Sequence, residues 1–291
     1  MLSGVMLLWF LLTAMAVIFV AWDIRFTPES PVLKAGFILL TCYTGPFGAF
    51  LYVLGCREPL PGLHEQYISI RWRQVLGSTM HCVAGDGVGI LAGAVIGAWI
   101  QLPRPAELIL EYTLGFAFGW TIFQALFMRD MAGGSYSRSL KSAFLPELLS
   151  MNFLMAGMIP VMTFAMKATP NSHNPLEPAF CFVMSMSLLT CFIVAYPMNW
   201  WLVANHLKHG MMTVGKHDQV DQIKSTQVHQ MGHHSGMAGS DRATDTAAIS
   251  PIHEPVDPIT QHVSAGRKTA MTLLSFVVFA IALAIGLIYG G

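Results

Sequence analysis

Residues 78–99 read STMHCVAGDGVGILAGAVIGAW, and this stretch decides how the rest of the chain is interpreted. It is apolar enough to lie in a lipid bilayer, yet it contains His81, Cys82 and Asp86. An ionisable group at membrane depth is costly and usually faces the protein interior or water. The stretch therefore predicts a membrane helix that carries potential ligands on an inward-facing patch.

The composition of the whole chain supports a membrane protein. Of its 291 residues, 54% are hydrophobic and 11% are charged, whereas a soluble domain has about 25% charged residues. Sixteen basic residues balance sixteen acidic ones, so nothing indicates nucleic-acid binding. The five cysteines form no CxxC pair. We predict an all-α fold, a polytopic transmembrane helical bundle.

Apolar runs of about 20 residues, the length that crosses a bilayer, predict about seven spans. Residues 1–202 would form the main bundle, residues 203–269 a polar and disordered loop, and residues 270–291 a last transmembrane helix. Basic residues near the span ends place the N-terminus in the cytoplasm, and the first span is a retained helix rather than a cleaved signal peptide. The predicted spans are 2–22, 34–55, 77–101, 106–128, 144–167, 178–202 and 270–289.

Glycines recur every fourth residue in the third span. This small-xxx-small pattern lets a neighbouring helix approach closely, which favours helix association in lipid. The fourth span carries a shorter version, so we expect the two spans to pack together. The glycines are Gly85, Gly89, Gly93 and Gly97 in the third span, and Gly115 and Gly119 in the fourth.

The polar residues of the third span allow two interpretations. His81, Cys82 and Asp86 could hydrogen-bond neighbouring helices and serve only the fold. Alternatively, their imidazole, thiol and carboxyl groups form a metal or proton site, since all three are competent ligands. The glycine pattern indicates packing and does not choose between the two.

Later spans add polar groups that could form a relay or a path. Glu147 follows Pro146 near the predicted start of span five, and Asn152 and Asn199 lie farther along. Glu147 is interpreted either as a relay or ligand or as a first-turn carboxylate stabilised by the helix dipole. A methionine face could pass a soft ion, or it could be ordinary core. That face consists of Met151, Met155, Met158, Met162 and Met166.

The polar loop contains eight of the eleven histidines. His-rich tracts bind metals, and methionine among them favours copper, although a disordered loop can also accumulate histidine without a role. The segment HQMGHHSGM supplies the candidate metal ligands His229, Met231, His233, His234 and Met237.

Three functions from different classes remain open. The leading one is the handling or transport of a soft metal ion, copper, at His81, Cys82 and Asp86. The second is a structural or assembly protein that packs partner membrane helices, or a second copy, through its glycines. The third is a haem-binding membrane oxidoreductase. No nucleotide or hydrolase motif is present, so we do not expect an enzyme and assign no catalytic residue.

The chain also resembles a bacterial membrane family through SxxHCxxGDxxG, YPMNWWL and KHGM. The family is known only as a domain of unknown function, number 4396, and the resemblance extends over residues 43–213. It implies a multi-pass protein of the bacterial cytoplasmic (inner) membrane without an assigned activity. The matched positions are His81, Cys82, Gly85, Asp86, Gly89, Pro197, Asn199, Leu202, His209 and Gly210.

Overall fold

The computed structural model describes residues 2–57, 64–126, 135–208, 210 and 264–290. Over these residues it is helical and contains no strand, which confirms the predicted all-α class. A 3₁₀ turn spans Ile24–Phe26 and a π-helix spans Gly119–Gln124. The α-helices are α1 Leu2–Asp23, α2 Pro31–Thr44, α3 Pro46–Gly55, α4 His64–Ile68, α5 Arg71–Trp99, α6 Arg104–Phe118, α7 Tyr136–Ala168, α8 Pro178–Ala204 and α9 Ala265–Gly290.

Five segments of the described chain are long and apolar enough to cross a membrane. This number supports a membrane protein but does not confirm the predicted count of about seven spans. The five segments are Ser3–Phe26, Arg71–Trp99, Tyr136–Ala168, Pro178–Ala204 and Ala265–Gly290.

The second predicted span, 34–55, is not one helix. Gly45 adopts a φ of 59°, which L side chains rarely take, and the next residue, Pro46, has no N–H to donate. The chain therefore breaks into α2 and α3. The hydroxyl of Ser185 on α8 donates a hydrogen bond to the Tyr43 carbonyl beside the break, so a backbone group released by the break is satisfied inside the bundle.

The fourth predicted span, 106–128, is also divided. Helix α6 has 15 residues, which is about 22 Å at 1.5 Å per residue and less than the roughly 30 Å of a hydrocarbon core. The π-helix Gly119–Gln124 continues it in the same direction. Such wider turns are rare in proteins and are frequent at functional sites.

Helix α7 begins much earlier than the sequence predicts. The predicted fifth span starts at residue 144, whereas α7 starts at Tyr136 and continues through both Pro146 and Pro160. Glu147 consequently lies well inside the helix. The interpretation of Glu147 as a first-turn carboxylate is wrong, because the nearest helix N-terminus is more than two turns away.

The centre of the bundle is formed by α5, α7 and α8, in which most residues of the apolar windows are buried. Helices α1 and α9 lie at the outside of this centre: only 11% and 17% of their apolar windows are buried, and they expose large apolar side chains such as Leu8, Ile18 and Ile288. An outer helix that is apolar all round suits contact with lipid. The fold therefore encloses polar side chains in its interior and has apolar helices at its surface.

Residue contacts divide the chain into a unit of Met1–Met212 with Val263–Gly291 and a second unit of Thr213–His262. The second unit falls outside the described residues. Most of the stretch 203–269 that is predicted to be disordered, with its loop ligands His229, Met231, His233, His234 and Met237, lies outside the described residues, so both the disorder and the ligands stay predictions. The last helix begins at Ala265, slightly before the predicted residue 270.

Candidate functional site

A thiol, a carboxyl group and an ammonium group meet in the interior of the bundle. The Sγ atom of Cys82 on α5 donates a hydrogen bond of 3.1 Å to Oε2 of Glu147 on α7. The Nζ atom of Lys208 donates to the same oxygen at 3.2 Å and also to Sγ of Cys82. The side chains of Lys208 and Glu147 are 1% and 0% exposed. This ion pair is therefore shielded from solvent.

Lys208 reaches the site because the chain turns back after α8. The backbone N–H groups of Leu207 and Lys208 both donate to the carbonyl of Leu202, at 2.9 and 3.3 Å. His206 adopts a φ of 55°, which allows the reversal. Burial lowers the pKa of the Lys208 ammonium, but Cys82 and Glu147 outweigh it, and the pKa is raised. Lys208 is therefore held as a cation.

A second carboxyl group, that of Asp86 on α5, lies beside Glu147. The two carboxyl groups occupy the space that a side chain at Gly119 would need: a Cβ there would lie 2.9 Å from Cγ of Asp86 and 2.8 Å from Oε1 of Glu147. Gly119 is the first residue of the π-helix. Its missing side chain thus makes room for the acidic pair. Cys82, Asp86, Glu147 and Lys208 are called the carboxyl–lysine cluster below.

The charges of the carboxyl–lysine cluster do not balance. The one ammonium can neutralise one carboxylate, and the cluster has two carboxyl groups and a thiol. Asp86 is within hydrogen-bonding reach of Glu147, but no N–H or hydroxyl group of the described residues donates to either oxygen of Asp86 or to Oε1 of Glu147. A buried charge without compensation is costly. The second carboxyl group therefore needs a proton or another cation.

His81 lies in α5 next to Cys82, and its side chain is buried with 1% exposure. The imidazole lies close enough to Lys208 to interact electrostatically with its ammonium. The structure thus gathers His81, Cys82 and Asp86 in one region. In the described part of the chain, however, no three His, Cys, Asp or Glu side chains are arranged to hold a metal ion. Instead, the ammonium of Lys208 is hydrogen-bonded to the sulfur of Cys82 and to Oε2 of Glu147, the atoms that could serve as metal ligands.

The glycines of α5 face α6 and the π-helix of the same chain. A Cβ on Gly85 would lie 2.8 Å from the Phe123 side chain, and a Cβ on Gly93 would lie 2.8 Å from Cα of Glu111. The positions of Gly89 and Gly97 are closed by Leu114 and Glu107. On α6, Gly115 packs against Ile90 and Met151. These contacts form a tight seam along α5. Helices α5 and α6, which meet in it, are joined by a short link between Trp99 and Arg104.

The predicted asparagines find their hydrogen-bond partners outside the carboxyl–lysine cluster. The Nδ2 atom of Asn199 donates to Oγ of Ser150 at 2.9 Å and to the Ala195 carbonyl at 3.0 Å. Asn152 accepts from the hydroxyl of Tyr112 at 2.8 Å and donates to Ser275 of α9 at 3.1 Å. Both asparagines thus join helices, which is a structural use of their amide groups.

The methionine face of α7 is buried in the main hydrophobic core. Four of its members are 0% exposed and Met166 is 6% exposed. They pack with apolar residues of α5 and α8. This placement suits flexible core packing, and the methyl group of Met151 lies against Gly115 of α6. The members are Met151, Met155, Met158, Met162 and Met166.

Lys208 is the site residue that the sequence analysis missed. It was counted only as a basic residue near a span end, because its return into the bundle depends on the turn at His206. One signal was available: Lys208 begins the KHGM segment, the last of the family-like motifs. A lysine in such a motif, close after a predicted membrane helix, could have been paired with Glu147.

Comparison with known proteins identifies one family and no characterised relative. Residues 71–208 match the model of a family described as a domain of unknown function, DUF4396, which confirms the resemblance over a shorter range than residues 43–213. The match extends from the first residue of α5 to Lys208 and therefore includes the whole carboxyl–lysine cluster. No curated protein and no solved structure matches the chain.

Proposed function

We propose that this membrane protein binds a cation in the carboxyl–lysine cluster and handles or transports it. Cys82, Asp86 and Glu147 would supply the ligands, and the cation would replace the ammonium of Lys208. The single observation that carries the proposal is the charge imbalance, two buried carboxyl groups for one ammonium. Ionisable groups inside a membrane helix bundle commonly mark an ion pathway.

A soft metal ion, Cu(I) in particular, is the proposed cargo. The Sγ atom of Cys82 is a soft donor, and the thioethers of the methionine face lie in the main hydrophobic core of the same bundle. The carboxyl groups add negative charge, which attracts any cation. His81 lies close to Lys208. Its imidazole would be available as a further ligand of the metal ion once the ammonium has left.

The role of Lys208 follows from the absence of a ready metal site among the described residues. Its ammonium acts as a tethered cation that compensates the charge of Glu147 and contacts the sulfur of Cys82 when no metal is bound. A metal ion would have to displace Nζ from Cys82 and Glu147. Metal uptake should therefore release a positively charged side chain, and the affinity would be lower than that of an open site of the same ligands.

The test is elemental analysis of the detergent-purified full-length chain after exposure to copper with a reductant and removal of unbound metal. All variants carry His229, His233 and His234 changed to Ala, so that these loop side chains do not contribute. We expect stoichiometric copper in this parent, and a loss of roughly tenfold or more when Cys82→Ser removes a direct ligand.

The matched control is Cys56→Ser. Cys56 is another fully buried cysteine, but it lies near Glu29 and Lys34 rather than at the cluster. Its substitution should leave the copper content unchanged. Equal copper in the parent and the Cys82→Ser variant, or no copper in the parent at all, would reject the metal proposal.

The other two functions receive less support. The glycines that were expected to hold partner helices are used within the chain, against α6 and the π-helix. An assembly role would then rest on the outer helices α1 and α9, whose apolar surfaces are equally suited to lipid. For haem, an absorbance spectrum of the purified protein is the direct test, and a Soret band would favour that function over metal handling.

A further inference from the structure

Glu111 on α6 is a further buried carboxyl group, and it is not part of the carboxyl–lysine cluster. It is 0% exposed, and neither of its oxygens accepts a hydrogen bond from the described protein groups. Its backbone and Cγ press against Gly93 of α5, in the seam between the two helices. Gly93 is seven residues, or about 10 Å along a helix, from Asp86. Glu111 is thus separate from the carboxyl–lysine cluster.

Glu107 lies one helical turn before Glu111 and is the next carboxyl group towards the start of α6. Helical side chains lean towards the N-terminus of their own helix, so Glu111 leans towards Glu107, one turn earlier. The side chain of Glu107 is 17% exposed and forms an ion pair of 2.7 Å with Arg104. Arg104 and Glu107 are the charged groups that act on Glu111. The facing helix α5 presents Gly93 there, which has no side chain to compensate a charge.

We infer that Glu111 is a proton-binding site at membrane depth, distinct from the carboxyl–lysine cluster, which exchanges its proton with water through Glu107. A buried carboxyl group without a partner is expensive to keep charged, and a proton is the one cation that needs no other ligand. Glu107 is the adjacent carboxyl group that reaches the surface. The inference goes beyond the proposed function and does not depend on it.

Infrared difference spectroscopy of the purified full-length protein tests the site directly. Subtracting the spectrum of Glu111→Gln from that of the wild type should reveal the C=O stretch of a protonated carboxylic acid. The band should shift in D₂O and should fall reversibly as the pH is raised. Glu177→Gln, which changes an acidic residue outside the membrane helices, should remove no such band. Identical spectra for the wild type and Glu111→Gln would overturn the inference.

The proposed route has its own test. Transfer of the protein into D₂O should exchange the Glu111 proton, and Glu107→Gln should slow that exchange by about tenfold or more, because it removes a positioned proton carrier. An unchanged exchange rate would refute the role of Glu107. Glu111→Met serves as a second variant, since an apolar side chain of similar size is well tolerated in an apolar site; it too should lack the band.

Copper retention separates this inference from the proposed function. Glu111→Gln should bind as much copper as its parent, because Glu111 is not among the proposed ligands. If the wild type binds no copper but shows the Glu111 band, the cation proposal fails and the proton site stands. If the wild type binds copper but lacks the Glu111 band, the proton site is rejected and the cation proposal stands.

Discussion

Two buried acid–base contacts of this molecule can be compared, the carboxyl–lysine cluster and the pair formed by Glu29 and His64. In the pair, Nε2 of His64 lies 2.8 Å from Oε1 of Glu29, and the two side chains are 3% and 0% exposed. Glu29 lies between α1 and α2, and His64 is the first residue of α4. Both contacts are equally shielded, but only the cluster falls within the family match at residues 71–208.

The two contacts differ in how their charge is compensated. Glu29 and His64 can become neutral together by moving one proton between them, so the pair needs no other ion. The cluster keeps an ammonium and has one carboxyl group too many. Burial alone therefore does not indicate function, since both contacts are buried. An excess of buried carboxyl groups, which needs an external ion or proton for compensation, is the more informative feature.

The largest effect is expected from Lys208→Met. Removing one partner of a buried ion pair costs about 3–5 kcal/mol, because the other charge is left uncompensated. We therefore expect a large fall in the thermal unfolding midpoint of the purified protein at neutral pH, measured at a fixed scan rate.

A control variant and a double variant show whether that loss of stability comes from the unpaired carboxylate. Lys141→Met removes an exposed lysine of α7 and should have little effect. Combining Lys208→Met with Glu147→Gln should recover much of the lost stability, since the unpaired carboxylate is gone. A loss no larger than that of Lys141→Met would show that the Lys208 contact contributes little.

An intermediate effect is expected from Gly119→Ala. The added methyl group would lie 2.8 Å from Oε1 of Glu147 and closer still to Asp86, so the acidic pair would have to move. Overpacking of this kind typically costs about 1–3 kcal/mol. Gly4→Ala is the matched control, because nothing lies within 4 Å of a Cβ at that helical position. Equal unfolding midpoints for the two variants would mean that the cluster tolerates the displacement.

The smallest effect is expected from Glu29→Gln, and it should depend on pH. Burial raises the pKa of Glu29 above its ordinary value of 4.5, although the hydrogen bond and charge of His64 oppose the shift. The folded protein therefore binds a proton that the unfolded chain has released. This contribution to stability is present below the ordinary pKa and is lost as the pH rises through the raised one.

The wild type should accordingly lose stability as the pH rises through the raised pKa of Glu29, and Glu29→Gln should flatten that part of the curve. The unfolding midpoint measured against pH shows the difference. Glu177→Gln should retain the wild-type slope. A curve for Glu29→Gln that parallels the wild type would contradict the assignment of this titration to Glu29.

The fold class could be predicted from the sequence because hydropathy alone identifies long apolar helices. The divided spans could not be predicted from hydropathy, since apolar residues lie on both sides of Gly45 and continue through the π-helix. The Gly45–Pro46 dipeptide is a turn signal, but it leaves the run apolar enough to be taken for one span. Helix α7 was predicted too short because its first two turns are polar and contain Arg138 and Lys141. Hydropathy marks where lipid begins, whereas a helix continues as long as its backbone hydrogen bonds do.

The acidic half of the site could be predicted better than the basic half. Cys82 and Asp86 are unusual residues in an apolar run, and Glu147 stands out for the same reason. Lys208 lies beyond a helix end, where basic residues are ordinary, and only the backbone reversal at His206 sends it inwards. Long-range pairing of this kind depends on tertiary structure, which a single sequence does not reveal.

The break at Gly45 has a consequence for biosynthesis. The Tyr43 carbonyl beside it is satisfied by Ser185, and Trp9 of α1 donates to the same hydroxyl at 3.0 Å. Ser185 leaves the ribosome 142 residues after Tyr43. The first three helices are therefore synthesised before their polar partner, and the hydrogen bonds at the break can form only after α8 has been made.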